Sequence, residues 1–148
     1  MSDARRIIAQ LDLAPHPEGG WFRETWRAPS AAGGRDAATA ILFLLEDGQK
    51  SHWHRVDAAE LWLFHAGTAL TLRTAQDGDV SPPRAIRLGS DVLAGDQPQH
   101  LVKAGEWQAA EASDGWALVA CVVVPGFSFE GFELAAPEWA PPGFKAGR

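Results

Sequence analysis

The densest run of chemically able residues is Ser51-His52-Trp53-His54-Arg55-Val56-Asp57-Ala58-Ala59-Glu60. Two histidines spaced i and i+2 on a regular strand face the same way. A turn through Asp57-Ala58-Ala59 would return Glu60 beside them on the neighbouring strand. Two imidazoles and one carboxylate can form the facial triad of a non-haem iron site, which makes His52, His54 and Glu60 the metal set if a divalent transition metal is bound. The same groups also suit a pocket for a polar ligand, with His54 or Glu60 as general base. The spacing leaves both readings open. Arg23 alternates with Glu24 on its strand, so only one of the two can face a pocket, and an inward arginine would suit an anionic ligand. Trp62 shares the face of Glu60 and could form an aromatic wall beside it.

The elements that must hold these residues are short strands. One helix is predicted first, over 3–12: Ile7, Ile8 and Leu11 fall at helical spacing, Ser2 can cap it, and Pro15 and Pro17 end it. The pattern then changes to period two. Strands are predicted at 21–27, 39–45, 52–56, 60–65, 69–74, 84–88, 100–102, 107–110, 116–124 and 129–134. Glycine and proline turns separate them, among them Asp77-Gly78, Pro82-Pro83, Gly105 and Pro125-Gly126. Many short strands with such turns mean a sandwich or barrel. The fold class expected is therefore all-β, as one domain over 1–148 with an irregular tail from about 137 to 148. Gly19-Gly20 reads as a tight entry into the first long strand. His16, between two prolines, reads as a structural or dimer-contact residue rather than a ligand contact.

Composition narrows the function classes. The chain has 148 residues and a formal net charge of −6, which argues against a nucleic-acid partner. No run approaches the roughly 20 apolar residues of a membrane span, and the start MSDARRIIAQ does not read as a signal peptide, so the expected compartment is the cytoplasm. The single cysteine, Cys121, lies in an apolar run and reads as a buried, inert thiol. Seven tryptophans and no tyrosine complete the picture.

Two levels of resemblance follow from the motifs. The segment from His52 to Gly67 is similar to the first cupin motif, with Glu60 and Gly67 at the right spacing. Five residues separate His54 from Glu60, a spacing that places only one histidine in register unless the loop carries an insertion. The stretch Gly105-Glu106-Trp107-Gln108 resembles the second cupin motif, with Gln108 where the last metal-binding histidine would stand. Pro15-His16-Pro17-Glu18-Gly19-Gly20-Trp21-Phe22-Arg23-Glu24, His54-Arg55-Val56-Asp57, Pro98-Gln99, Gly105–Ala110 and Val124-Pro125-Gly126-Phe127 together look like the Cupin_5 (DUF985) family. That resemblance implies a cupin jelly-roll barrel of the RmlC-like kind and a homodimer. The residues themselves read as a small-molecule pocket in an aromatic-lined barrel, with Arg23, His52, Trp62, Gln99, Trp107 and Gln108 as ligand contacts around His54 and Glu60. A sugar, a sugar nucleotide or a similar polar metabolite is the expected ligand class. The epimerase mechanism of similar sugar-nucleotide enzymes needs a tyrosine acid, which this chain lacks. No cofactor is expected. The alternatives are a metal-dependent oxygenase or isomerase, and a storage-type dimer with an inert pocket.

Overall fold

A computed structural model describes residues 1–144. One helix, α1 (Asp3–Gln10), precedes eleven strands: β1 (Ala14–Pro15), β2 (Trp21–Ala28), β3 (Ala38–Leu45), β4 (Lys50–Val56), β5 (Ala59–Gly67), β6 (Leu70–Ala75), β7 (Arg84–Leu88), β8 (Gln99–Val102), β9 (Trp107–Glu111), β10 (Ala117–Val124) and β11 (Phe132–Leu134). Ser2 caps α1 as the sequence indicates, its hydroxyl accepting from the Arg5 amide. The strands build two antiparallel sheets. One has the order β1-β2-β3-β10-β5-β8 and the other β11-β4-β9-β6-β7. This is the expected all-β cupin architecture with one short helix. Of the expected irregular tail, residues 137–144 carry no helix or strand, and 145–148 lie outside the described residues.

Period-two alternation divides each strand between the barrel interior and the outside. On β10, Ala117, Val119, Cys121 and Val123 are buried, while Leu118, Ala120, Val122 and Val124 face outward. The interior fills unevenly. At one end Phe43, Leu45, Trp62, Leu70, Leu72, Ile86, Leu88 and Val119 pack into a solid core, with Phe43 and Trp62 edge to face at 6.0 Å. At the other end the same strands contribute Thr39, Ile41, Glu60 and Val123, and there the interior is hollow. Register links the two halves: Cys121 lies opposite Trp62 and Ile41, and Val123 opposite Glu60 and Thr39. The full end holds the barrel shape while the hollow end remains open for chemistry.

Helix α1 covers part of the outside of the six-stranded sheet, burying Ala4 and Ile8 against Leu13 and Leu44. On the other sheet, Trp53, Trp107 and Ala75 are covered by Ala135, Trp139 and Phe144 from the tail.

Candidate functional site

The site is assembled by a turn, a bulge and one crossing of the barrel. The turn is Pro15–Gly20. It closes through His16 N–H to the Gly20 carbonyl at 2.9 Å and Gly19 N–H to the His16 carbonyl at 3.0 Å. It docks on β4 because the His52 amide donates to the Glu18 carbonyl at 2.7 Å. Gly19 and Gly20 adopt φ of +105° and +85°. A Cβ at Gly19 would overlap the Lys50 carbonyl, and one at Gly20 would meet Phe43 and Leu45. The pair is thus required to bring the turn against the barrel wall and push the Glu18 side chain inside.

The bulge lies on β4. Its pairing with β9 shifts register between Ser51 and His54, so His52 and Trp53 both leave the interior. Ser51, His54 and Val56 point inward. His52 bonds the Ala136 carbonyl of the tail at 2.9 Å. The expectation that His52 and His54 share a face is therefore corrected, since the i, i+2 rule holds only on an unbulged strand. Glu60 does reach the site, but from across the barrel: β4 and β5 belong to different sheets and are not hydrogen-bonded neighbours.

At the centre Glu18, 9% exposed, is held between two imidazoles. His16 Nδ1 lies 3.2 Å from Oε1, and His54 Nε2 lies 3.2 Å from Oε2. The Ser51 hydroxyl donates to Oε2. His54 Nδ1–H donates to the His52 carbonyl at 2.8 Å, which leaves Nε2 without a proton in the neutral ring. His16 Nδ1 accepts from the Glu18 amide at 3.1 Å, so it too faces Glu18 as an acceptor. Two bare nitrogens around one carboxyl call for a protonated carboxyl. The electrostatics agree. Burial raises the Glu18 carboxyl to about 8 against the lowering effect of the Ser51 bond. Burial lowers His16 to about 4, with His54 adding to the effect, and it lowers His54 despite the opposing charge of Glu60. At neutral pH the group is a carboxylic acid between two neutral imidazoles, with one proton to give.

Glu60 forms a second buried carboxyl, also raised by burial. Gln108 Nε2 donates to its Oε1 at 2.8 Å, and Trp62 Nε1–H donates to Gln108 Oε1 at 2.7 Å. The chain Trp62–Gln108–Glu60 fixes the orientation of the carboxyl from the full end of the barrel.

These groups open into a cavity of about 290 Å³, just below the roughly 300–1,000 Å³ typical of ligand sites. Its walls are Phe22, Ile41, Val56, Val123, Phe127 and Phe132, and Glu24, Arg27, Ser128 and Phe129 also line it. Of the residues singled out from sequence, the structure brings His54 and Glu60 to the cavity and sets Gln108 and Trp62 behind Glu60. The others lie elsewhere. Arg23 is exposed and pairs with Leu42 on the outer face of the sheet, while its neighbour Glu24 takes the inward place. Gln99 is exposed on β8. Trp107 packs on the outer side of the second sheet and donates to Asp77 at 2.9 Å. His16, expected to be structural, lines the cavity. Glu18 and Ser51 were missed. The sequence signal for Glu18 was the Pro-His-Pro-Glu-Gly-Gly turn, which periodicity cannot place, and Ser51 stands at the head of the run that carries His54.

The donor set does not fit a metal. His52 points away, His54 spends Nδ1 on the backbone and turns Nε2 to Glu18, and Gln108 is committed to Trp62 and Glu60. Among the described residues, no group of three or more His, Cys, Asp or Glu is arranged to hold a metal ion.

Residues 5–135 match the family model Cupin_5, described as cupin superfamily (DUF985). The chain belongs to the Cupin_5 family. An uncharacterized yeast protein, YML079W of Saccharomyces cerevisiae, is 29% identical over 150 residues, covering 87% of this chain and 73% of the relative. Protein SO0799 of Shewanella oneidensis superposes with a TM-score of 0.83 at 40% identity, over 92% of this chain and 86% of that one. A hypothetical protein from Leishmania major gives 0.80 at 31%, over 91% and 88%. An oxalate decarboxylase of Bacillus subtilis matches at 0.62 and 14% identity, over 84% of this chain and 31% of its own, a likeness of fold alone. No helix among the described residues is long and apolar enough to cross a membrane.

Proposed function

We propose that this Cupin_5 protein binds a small organic molecule in the hollow end of its barrel and passes a proton to or from it through Glu18 and His54. One observation carries the reading: a carboxyl and an imidazole 3.2 Å apart, both buried, at a cavity of ligand size. A group that titrates near neutrality inside such a cavity suits general acid–base work, typically worth roughly 10²–10⁴ in rate. The second carboxyl, Glu60, is held by Gln108 as an acceptor or, protonated, as a donor. The nucleotide part of the sugar-nucleotide expectation loses support here. A diphosphate calls for free cations, whereas Arg27 is bonded to Glu24 and Asp36 at 2.8 and 2.9 Å. The metal-dependent alternative loses its donor set with His52.

The test is to release and identify small molecules held by the purified protein. The wild type should retain a ligand near one per chain and His54→Ala should lose it, while His52→Ala keeps it. Equal content in all three would overturn the reading.

The partner we propose is a second copy of the chain. An apolar row crosses five strands on the outer face of the first sheet: Trp26 opposite Ala40, Ala40 opposite Val122, Val122 opposite Leu61, Leu61 opposite Leu101. Trp26 and Leu101 at its two ends are each more than half exposed, as is Val124 beside it. Such a face favours association. Light scattering should give twice the chain mass and Trp26→Glu a single chain; a wild-type monomer at micromolar concentration would contradict it.

A further inference from the structure

The charge of the cavity points to the class of ligand. Its two innermost carboxyls, Glu18 and Glu60, are almost wholly buried, and among the described residues no lysine or arginine meets either one. The one arginine or lysine of the lining among the described residues, Arg27, is bridged to Glu24 and Asp36. The remaining neighbours of Glu18 are His16 from its own turn, Ser51 and His54 from β4, and Glu60 and Cys121 from across the barrel. None of these supplies a fixed positive charge. Around the carboxyls the wall is hydrocarbon and largely phenylalanine, with Phe22, Phe127 and Phe132.

We propose that the ligand is a small organic cation, an amine or similar monocation on an apolar body, seated with its charge beside Glu18 and Glu60. This rests on the reading of the cavity as a ligand site. Three features converge on it. An anion would meet two acids and, among the described residues, no unpaired lysine or arginine. A sugar would set much of its hydroxyl-bearing surface against phenylalanine. A cation would find carboxyls whose ionisation it restores and phenylalanine rings in the surrounding wall. Balance requires that the Glu18 proton leave as the cation enters: the O–H bond breaks, the electron pair stays on the carboxylate, and the proton passes by way of His54 Nε2 to solvent. Binding of a cation is therefore coupled to proton release, and it leaves Glu18 as a base facing the ligand.

The experiment is calorimetric titration of the full chain with benzylamine, benzyl alcohol and benzoate, three probes of one shape and three charges. Benzylamine should bind tightest. Its affinity should rise by up to tenfold per pH unit from 6 to 8, with protons released to the buffer. Glu18→Gln should flatten that slope and should weaken benzylamine more than benzyl alcohol, with thermal melting as the check that it folds. The wild-type comparison of the three probes needs no variant. Benzyl alcohol or benzoate binding as tightly as benzylamine, with no pH slope, would overturn the charge assignment and leave the pocket as a ligand site. Absence of heat from all three probes at millimolar concentration would overturn both.

Discussion

If Glu18 is a protonated acid in the folded chain, stability must fall as pH rises through neutrality. An exposed glutamate titrates at 4.5 and the buried Glu18 at about 8. Folding thus takes up a proton between those values, and the stabilisation this gives is complete below 4.5 and lost as pH climbs through 8. His16 acts with opposite sign. It is lowered from 6.5 to about 4, so between those values the unfolded chain holds a proton that the fold refuses, and stability rises with pH. His54, lowered in the same direction, adds to this. Glu60 acts with Glu18. Below 6.5 the opposing groups offset one another. Between 6.5 and 8 Glu18 is unopposed. At 1.36 kcal/mol per pH unit, that window of about 1.5 units costs about 2 kcal/mol. For a chain of this size the loss is a fall of roughly 4–8 °C in Tm. Urea denaturation at pH 6.5 and 8.0 measures it directly, and Glu18→Gln, which keeps the shape without the titration, should remove most of the difference. A wild type whose stability is flat or rising over the window would refute the protonated pair. So would a Glu18→Gln variant that keeps the full slope.

Gly19→Ala should cost several kcal/mol, since it combines a left-handed φ with an overlap at the Lys50 carbonyl, and a lower urea midpoint would show it. Gln108→Leu strips partners from Trp62 Nε1 and Glu60 Oε1, two buried polar atoms, and should destabilise by about 2–4 kcal/mol by thermal melting. His52→Ala removes one bond to the tail and should cost about 1 kcal/mol while leaving ligand content unchanged, the reverse of what a metal triad would require.

The fold was readable because its signals are local. The helix carries its cap at Ser2, and the strands carry alternation, as in β10. The short β1, the 3₁₀ turn at Val92–Ala94 and the 3₁₀ turn at Phe129–Gly131, which fell within a predicted strand, were not, because two or three residues show no period. The site was half readable. His54 and Glu60 stand in a recognisable motif. The bulge that expels His52 left no mark on the pattern, since one extra residue in a strand reads like any other. Glu18 is brought to His54 by a turn 36 residues earlier in the chain, a contact that neither strand periodicity nor motif spacing encodes. Arg23 and Glu24 presented a two-way choice, and only the pairing of β2 with β3 decides it for Glu24.

The central claim is that one buried proton lies between Glu18 and a neutral His54. Long-range ¹H–¹⁵N NMR of the histidine rings tests it most directly. The account predicts that His54 carries its proton on Nδ1 from pH 5.5 to 7.5, with Nε2 hydrogen-bonded but unprotonated, and that its ring does not titrate near the 6.5 of a free imidazole. A doubly protonated His54 ring at pH 6, or one that titrates as a free imidazole does, would contradict it.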